Sequence, residues 1–324
     1  MQEYYDLLRS TSRTFSVGIE ALPRGLRDAV TLAYLVLRVS DYFEDTPSLD
    51  PDEKSDCLGI WARVVEEGGS PDEAAVLEER VADRDRDLPD RLAALEARKV
   101  QEGLLALPPR FRTPIQTHTA ATTGGMARWV SRGPDFPDEA ALDDYMFEVA
   151  GRVGLLLTDL FSAHSPAVAR RRSELDRVSV SFGLGLQTVN VIRGLHEDPE
   201  RGWSYVPRHL MGNGRIQDPR KLPEDDQRRI LDFLSAKAGR HIRDAITYCQ
   251  LLPRTERGIR IFCIIPALLA SSTASLSRGN LRVFHEPVKV ERPRVKRMVL
   301  LSRVLYFSNG WLERKKREAV RLEE

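Results

Sequence analysis

The sequence predicts an all-α fold, and three observations carry that prediction. Apolar residues recur at spacings of three and four along long segments. Convincing period-two alternation, the mark of a half-buried strand, is hard to find. Gly/Pro clusters fall between the periodic segments and punctuate them.

The first long helix is expected over 25–44, where Leu26, Ala29, Val30, Ala33 and Leu37 share a face, Pro23 opens the segment and Pro47 lies beyond it. Further helices are expected over 139–163, 178–196, 224–252, 256–277 and 295–323. Turns are marked at 108–109, 133–134, 202–207, 212–214 and 287–293, none of them long enough to be an interdomain linker. The charge-dense stretch 83–90 reads as a loop, and the apolar pattern resumes at Leu92, so residues 1–324 are taken as a single helical domain. Helices of this length with several apolar faces pack around one another and leave room for a cavity.

Composition narrows the function. Among 324 residues, 49 Lys+Arg stand against 48 Asp+Glu, a net charge of +1 that gives no global pull toward nucleic acid. An apolar content of 42% is enough for a sizeable core. Cys57, Cys249 and Cys263 are odd in number and widely spaced, which argues against a disulfide framework and a zinc site and for a reducing compartment. The first residues are acidic and amphipathic, unlike a secretory signal. The apolar stretches 153–157 and 262–270 fall short of the ~20 residues that cross a bilayer. The expectation is a cytoplasmic protein that at most touches a membrane from outside. No His pair, G-x-S-x-G, phosphate loop or EF-hand pattern is present. The basic run Arg314 to Arg317 alternates with acids, as a solvated helix face does, with anionic lipid as the weaker reading.

Three local clusters carry chemistry. Asp41 and Asp45 leave one helix face a turn apart with Glu44 beside them, and repel unless a cation lies between. Taken alone this is also what a solvated helix end looks like. Here, however, the acids close an apolar segment that includes Tyr34 and Arg38, and hard oxygen donors suit Mg²⁺ bridging to a phosphate. At the end of another helix Gln187, Asn190, Arg193, Glu197 and Asp198 gather, with Asn190, Arg193 and Glu197 on one helical stripe and Asp198 at its edge. Taken singly, Asn190 fits a buried amide and Arg193 a partner for Glu197. Near the start, Ser12 and Arg13 with Arg9 could hold phosphate oxygens, although Ser12 could equally be a helix cap. Two apolar helices that end in acids are what a diphosphate and its metal ions at the mouth of an apolar tunnel require.

In order and spacing, these segments resemble the squalene/phytoene synthase family, tilted to its squalene synthase branch. The resemblance rests on Thr11-Ser12-Arg13-Thr14-Phe15 with Ala21-Leu22-Pro23, Tyr34 to Asp45, Gly125-Met126, Tyr145 with Val149 to Gly154, Leu186 to Asp198, Phe262-Cys263-Ile264-Ile265-Pro266, and Val283-Phe284 with Val288-Lys289. It implies a single-domain class I isoprenoid synthase helical bundle that encloses a hydrophobic tunnel. The implied activity is Mg²⁺-dependent head-to-head condensation of two farnesyl diphosphates, through presqualene diphosphate, to squalene with NADPH as reductant. The alternatives are a dehydrosqualene, hydroxysqualene or phytoene-type product, a terpene synthase-like diphosphate lyase, or a diverged non-catalytic member.

Position by position, the resemblance makes Asp41, Glu44, Asp45, Asn190, Glu197 and Asp198 metal ligands. Ser12, Arg13, Arg38, Gln187, Asn190, Arg193 and Lys289 would hold diphosphate. Tyr145 and Tyr34 would face the reacting carbons, with Tyr145 the nearer to proton removal. Lys289 and Arg292 would meet NADPH, whose use rests on the resemblance alone since no G-x-G-x-x-G follows a strand. Phe15, Phe262 and Pro266 would wall the tunnel; alone, Phe262 and Pro266 read as core. The prenyl diphosphate is the expected partner, peripheral membrane contact is compatible, and oligomeric state is unreadable. One departure stands out. At Gly194 the family pattern has an aspartate that pairs with the acid at 198.

Overall fold

The computed structural model describes residues 1–11, 13–81, 84–212, 218–320 and 322, and only the backbone of residues 13, 14, 67, 71 and 320. Among them the regular elements are helical, as the apolar period requires. Two compact units form, Met1–Gly133 with Leu155–Ala169, and Pro134–Gly154 with Arg170–Glu324.

The first unit is built on the Arg24–Asp45 helix. Pro23 precedes it in an extended conformation (φ −57°, ψ 147°), which starts the helix sharply. Leu26, Ala29, Leu32, Leu35, Val36, Val39 and Phe43 are buried, so more than one face is covered and the helix is central to this unit. Trp61 on the Pro51–Glu67 helix donates Nε1–H to the Val36 carbonyl at 3.0 Å, and Ser40 meets Thr123 of the Pro109–Arg132 helix at 2.7 Å between hydroxyls. Polar groups buried here therefore find one another. Asp50 and Glu53 form a reciprocal capping box at the start of the Pro51–Glu67 helix. The connection after Asp45 is pinned by Asp85, which accepts from the Tyr42 hydroxyl at 3.1 Å, from Ser48 Oγ at 2.5 Å and from Thr46 Oγ1.

In the second unit the Arg172–Gly194 and Glu224–Leu251 helices pack along their lengths. The expected continuous helix over 139–163 is instead Glu139–Met146, a π-helical turn Phe147–Gly151, and Arg152–His164. A backbone crossing lies at this irregularity. A Cβ on Gly154 would fall 1.9 Å from the Ser179 carbonyl oxygen, and one on Gly183 would fall 2.0 Å from that of Ala150. No side chain fits between the two segments, and π turns are common where a helix must re-aim its residues.

The helix expected over 295–323 is also broken, into Arg292–Leu305 and Asn309–Val320. The fully buried Arg260 donates to the carbonyls of Tyr306 at 2.7 Å and Leu252 at 2.5 Å and to Asn309 Oδ1 at 2.7 Å. That guanidinium takes the carbonyl a continuing helix would have used. A second difference concerns Arg257–Ser277, which by length and composition could cross a bilayer, contrary to the reading of its short apolar run. In this fold 72% of its most apolar window is buried, as in the central helix of a packed unit. The three cysteines are free and buried.

Candidate functional site

The predicted site residues divide between the two units. In the first, the last turns of the Arg24–Asp45 helix present Tyr34, Arg38, Asp41 and Asp45 at helical spacings. Arg38 pairs with Asp41 through Nη2 and reaches Asp90 Oδ1 from Nη1 at 3.4 Å. Its guanidinium carbon lies 5.0 Å from the centre of the Tyr34 ring, within cation–π range. Phe15, 43% exposed, stands 5.9 Å from that same ring. Ser12 lies outside the described residues, as does the side chain of Arg13.

Charge in this cluster is unbalanced. Burial pushes the Asp41 carboxyl up to about 7; Arg38 pulls it back, while Asp90 and Asp45 push it further up. Asp90 is raised for the same reasons, burial first, then Asp45, against Arg38. Arg38 is shared by Asp41 and Asp90, and Asp45 adds its field to both, so a further cation beside Asp41 and Asp90 would lower the repulsion on them. Glu44 is different. It is 9% exposed, so its side chain belongs to the interior of the unit, and its backbone carbonyl accepts from Lys54 Nζ at 2.9 Å. Asp90 was missed by the sequence reading because it sits in the stretch 83–90, read as a loop 52 positions from Arg38. Its only local signal is its place before the short Arg91–Leu95 helix.

In the second unit the predicted stripe is only partly formed. The Arg172–Gly194 helix carries Gln187, Asn190 and Arg193 at intervals of three, and Asn190 Nδ2 donates to Gln187 Oε1 at 3.3 Å. Asn190 and Arg193 are exposed. Glu197 and Asp198 do not continue the stripe, because the helix ends at Gly194 and a short 3₁₀ turn, Asp198–Arg201, follows. Pro199 accounts for this. It lacks an N–H, disfavours the α conformation at Asp198 and clashes with the carbonyl four residues back. Glu197 is exposed and faces His196 at 3.5 Å. Asp198 is 8% exposed and ion-paired with Arg201 at 2.6 Å. Its carboxylate folds over Gly194 so closely that a Cβ there would lie 2.0 Å from Oδ2. The space that the family's aspartate would fill is taken by Asp198 itself.

Tyr145, at the end of the Glu139–Met146 helix and two residues before the π-helical irregularity, is 3% exposed. Its ring stacks on Tyr205 at 5.1 Å, lies 6.3 Å from Trp203 and meets Phe136 edge-on at 5.7 Å. Its hydroxyl donates to that of Tyr205 at 3.3 Å. Trp203 and Tyr205 belong to a segment read from sequence only as a turn, 202–207, and the aromatic alternation inside it was the signal available. The helix that carries Tyr145 is tied down by the buried Lys237, which pairs with Glu139 at 2.8 Å and with Asp143. Phe262 is 7% exposed and Pro266 is partly buried within the Arg257–Ser277 helix. Lys289 and Arg292 are both exposed.

Among the described residues no three His, Cys, Asp or Glu side chains already converge as a metal cage. The donor chemistry of the first cluster nevertheless suits a divalent cation, since Asp41, Asp45 and Asp90 offer hard carboxylate oxygens, and Asp41 and Asp90 are raised by burial and by their acidic neighbours. In this arrangement Arg38 supplies part of that charge.

A family model described as squalene/phytoene synthase matches residues 8–294. The squalene synthase of Schizosaccharomyces pombe is 32% identical over 92% of the chain and 64% of its own length, and squalene synthase 1 of Arabidopsis thaliana is 30% identical over 89% and 68%. The chain thus spans about two thirds of the length of these curated relatives. A solved complex of TcSQS with the ligand BPH1237 superposes with a TM-score of 0.79 at 24% identity, covering 99% of this chain and 98% of that one, which shows the fold.

Proposed function

The chain belongs to the squalene/phytoene synthase family, on its squalene synthase branch, and from that membership we propose that it is a prenyltransferase that joins two farnesyl diphosphates head to head. The proposed product is squalene, formed through presqualene diphosphate with NADPH as the hydride donor. The observation that carries the reading is the cluster at the end of the Arg24–Asp45 helix, where half-buried acids, Arg38 and two aromatic rings adjoin.

Asp41 and Asp45 would hold Mg²⁺, with Asp90 within the same field; when bound, the ion lends positive charge to a departing diphosphate. Arg38 has two tasks in this scheme. Paired with Asp41 and Asp90 it keeps the acids from repelling one another, and displaced from them by a cation it is free to hold diphosphate oxygens in a bidentate fork. The faces of Tyr34 and Phe15 offer π density to an allylic cation while excluding water that would quench it. Tyr145, its hydroxyl hydrogen-bonded and its ring enclosed by aromatics, would take part in proton removal as a cyclopropane closes. Asn190, Arg193, Glu197 and Asp198 would complete the diphosphate and metal contacts. The exposed Lys289 and Arg292 suit the phosphates of an exchangeable NADPH.

The test is to incubate the purified protein with farnesyl or geranylgeranyl diphosphate and Mg²⁺, with and without NADPH, and to identify the products. Diphosphate release and a product with two farnesyl units are expected, with squalene formed only when NADPH is present. A single-prenyl product would make it a diphosphate lyase. No diphosphate release under any condition sinks the catalytic reading.

A further inference from the structure

The sequence pointed to Arg314–Arg317 as the segment with any affinity for anionic lipid, and the structure moves that affinity upstream. In the C-terminal helix Lys315 pairs with Glu318 at 2.8 Å and Arg317 with Glu313 at 3.9 Å, so the run is partly neutralised by its own acids. The preceding stretch has no such acids. From residue 292 to residue 312 the chain carries Arg292, Arg294, Lys296, Arg297 and Arg303 and neither Asp nor Glu. All five are exposed, and among the described residues none of them is ion-paired.

The apolar side chains of the same stretch are exposed too. Leu300 is 61%, Val304 55% and Phe307 51% exposed, three of the most exposed large apolar residues described. Met298 and Ser302 of the Arg292–Leu305 helix are buried and Val295, Val299, Leu301 and Leu305 are half-buried, so one side attaches the helix to its unit and the opposite side is exposed. At about 100° per residue, Val304 lies about 40° from Leu300, with Lys296 and Arg303 within about 60° on one side and Arg297 about 60° on the other. An exposed apolar ridge is therefore flanked by cations on both sides. Beside it lies a cavity of about 300 Å³, with Arg294, Arg297 and the Lys315–Glu318 pair at its polar part and Met298, Leu301 and Trp311 at its apolar part.

We propose that the Arg292–Leu305 helix and Phe307 form a docking face for an anionic lipid bilayer. Leu300, Val304 and Phe307 enter the headgroup and acyl boundary while Lys296, Arg297 and Arg303 meet lipid phosphates. The charge chooses the occupant: cations without an acid among them, flanking exposed apolar side chains, match a surface that is anionic at its headgroups and apolar beneath, whereas a second copy docking by this same face would set cation against cation. Arg292, at the start of this helix, belongs to the proposed chemistry, but the six side chains assigned to the lipid, Lys296, Arg297, Leu300, Arg303, Val304 and Phe307, do not.

The test is vesicle flotation with phosphatidylcholine alone and with added phosphatidylglycerol, on the full chain. Binding about tenfold tighter to anionic vesicles is expected, falling as salt rises. L300S/V304S/F307S should bind at least about tenfold more weakly to both vesicle types, and K296Q/R297Q/R303Q should lose the anionic preference. All six side chains are exposed, and unchanged melting temperatures of the variants would confirm that they fold. Absent binding, equal binding to both vesicle types, or binding unaffected by either variant overturns the proposal. So does self-association of the parent chain that the apolar variant abolishes.

Discussion

Two helices lead to the paired acids singled out in the sequence, and they end differently. The Arg24–Asp45 helix runs through its acids before it stops, so Asp41 and Asp45 stay one turn apart on a regular face. The Arg172–Gly194 helix stops before its acids, and Asp198 reaches back over Gly194 from a 3₁₀ turn. In the first, the chain's own regularity sets the spacing of the carboxylates, and burial raises that of Asp41. In the second, Pro199 breaks the regularity and a missing side chain makes room for the fold-back. The spacing of an i, i+4 acid pair is therefore prefabricated by its helix, and an acid beyond a helix end is only as well placed as the residue it leans on.

The sharpest way to break this contrast is to remove one acid at each end. Asp41→Asn or Asp45→Asn is expected to lower kcat about 10³-fold, the scale of losing a group that stabilises developing charge, measured by diphosphate release at saturating Mg²⁺. Loss of less than about tenfold would mean that the first cluster is not the principal charge site. Asp198→Asn is expected to cost about 10- to 100-fold, chiefly as a raised Mg²⁺ requirement, since Arg201 already shares that carboxylate. If the two losses came out equal, the two helix ends would be functionally equivalent despite their geometry.

How much of this was legible in the sequence follows the same division. The Arg24–Asp45, Glu224–Leu251 and Arg257–Ser277 helices match their expected spans to about one residue, because apolar period and proline starts are local signals. The π turn at Phe147–Gly151 and the break after Leu305 were not legible. One goes with a backbone crossing at Gly154 and Gly183, the other with Arg260 reaching in from another helix. The same holds at the site. The Asp41/Asp45 spacing can be read from the chain, while Asp90 joins it from 52 positions away from Arg38 and the Trp203/Tyr205 stack on Tyr145 exists only once the chain has turned back.

The two units also bury opposite kinds of titratable group, and pH separates them. His241, on the Glu224–Leu251 helix, is held down to about 4 by burial first and by the neighbouring Lys237 second, with Arg240 adding to it and Asp143 and Asp244 opposing. A depressed histidine means that the folded state binds fewer protons than the unfolded one between about 4 and 6.5, so stability falls as pH drops through that window. The expected loss is about 2 kcal/mol, read from urea melts at a series of pH values, and His241→Gln should flatten that slope. Asp41 has the opposite sign. Its folded value of about 7 lies above the ordinary 3.8, so its contribution is present at low pH and lost as pH rises toward neutrality. A His241→Gln variant with an unchanged acid slope would remove the second unit from this contrast.

The smallest effect is the most discriminating. Gly194→Ala puts a methyl group 2.0 Å from the present position of Asp198 Oδ2, so that carboxylate must swing away and give up Arg201. The lost pair is partly exposed and worth about 0.5–1 kcal/mol, while alanine at the end of a helix returns up to about 1 kcal/mol relative to glycine. Stability should therefore move by less than about 1 kcal/mol, whereas the Mg²⁺ concentration for half-maximal turnover should shift several-fold because the acid has moved. Gly194→Asp sharpens the point. It adds a second carboxylate in the same space, and the two repel unless a cation lies between them, so its melting temperature should rise with Mg²⁺ more than that of the parent chain. If neither variant alters the Mg²⁺ response, the end of the Arg172–Gly194 helix does not hold metal, and the charge work of the site rests on the Arg24–Asp45 helix alone.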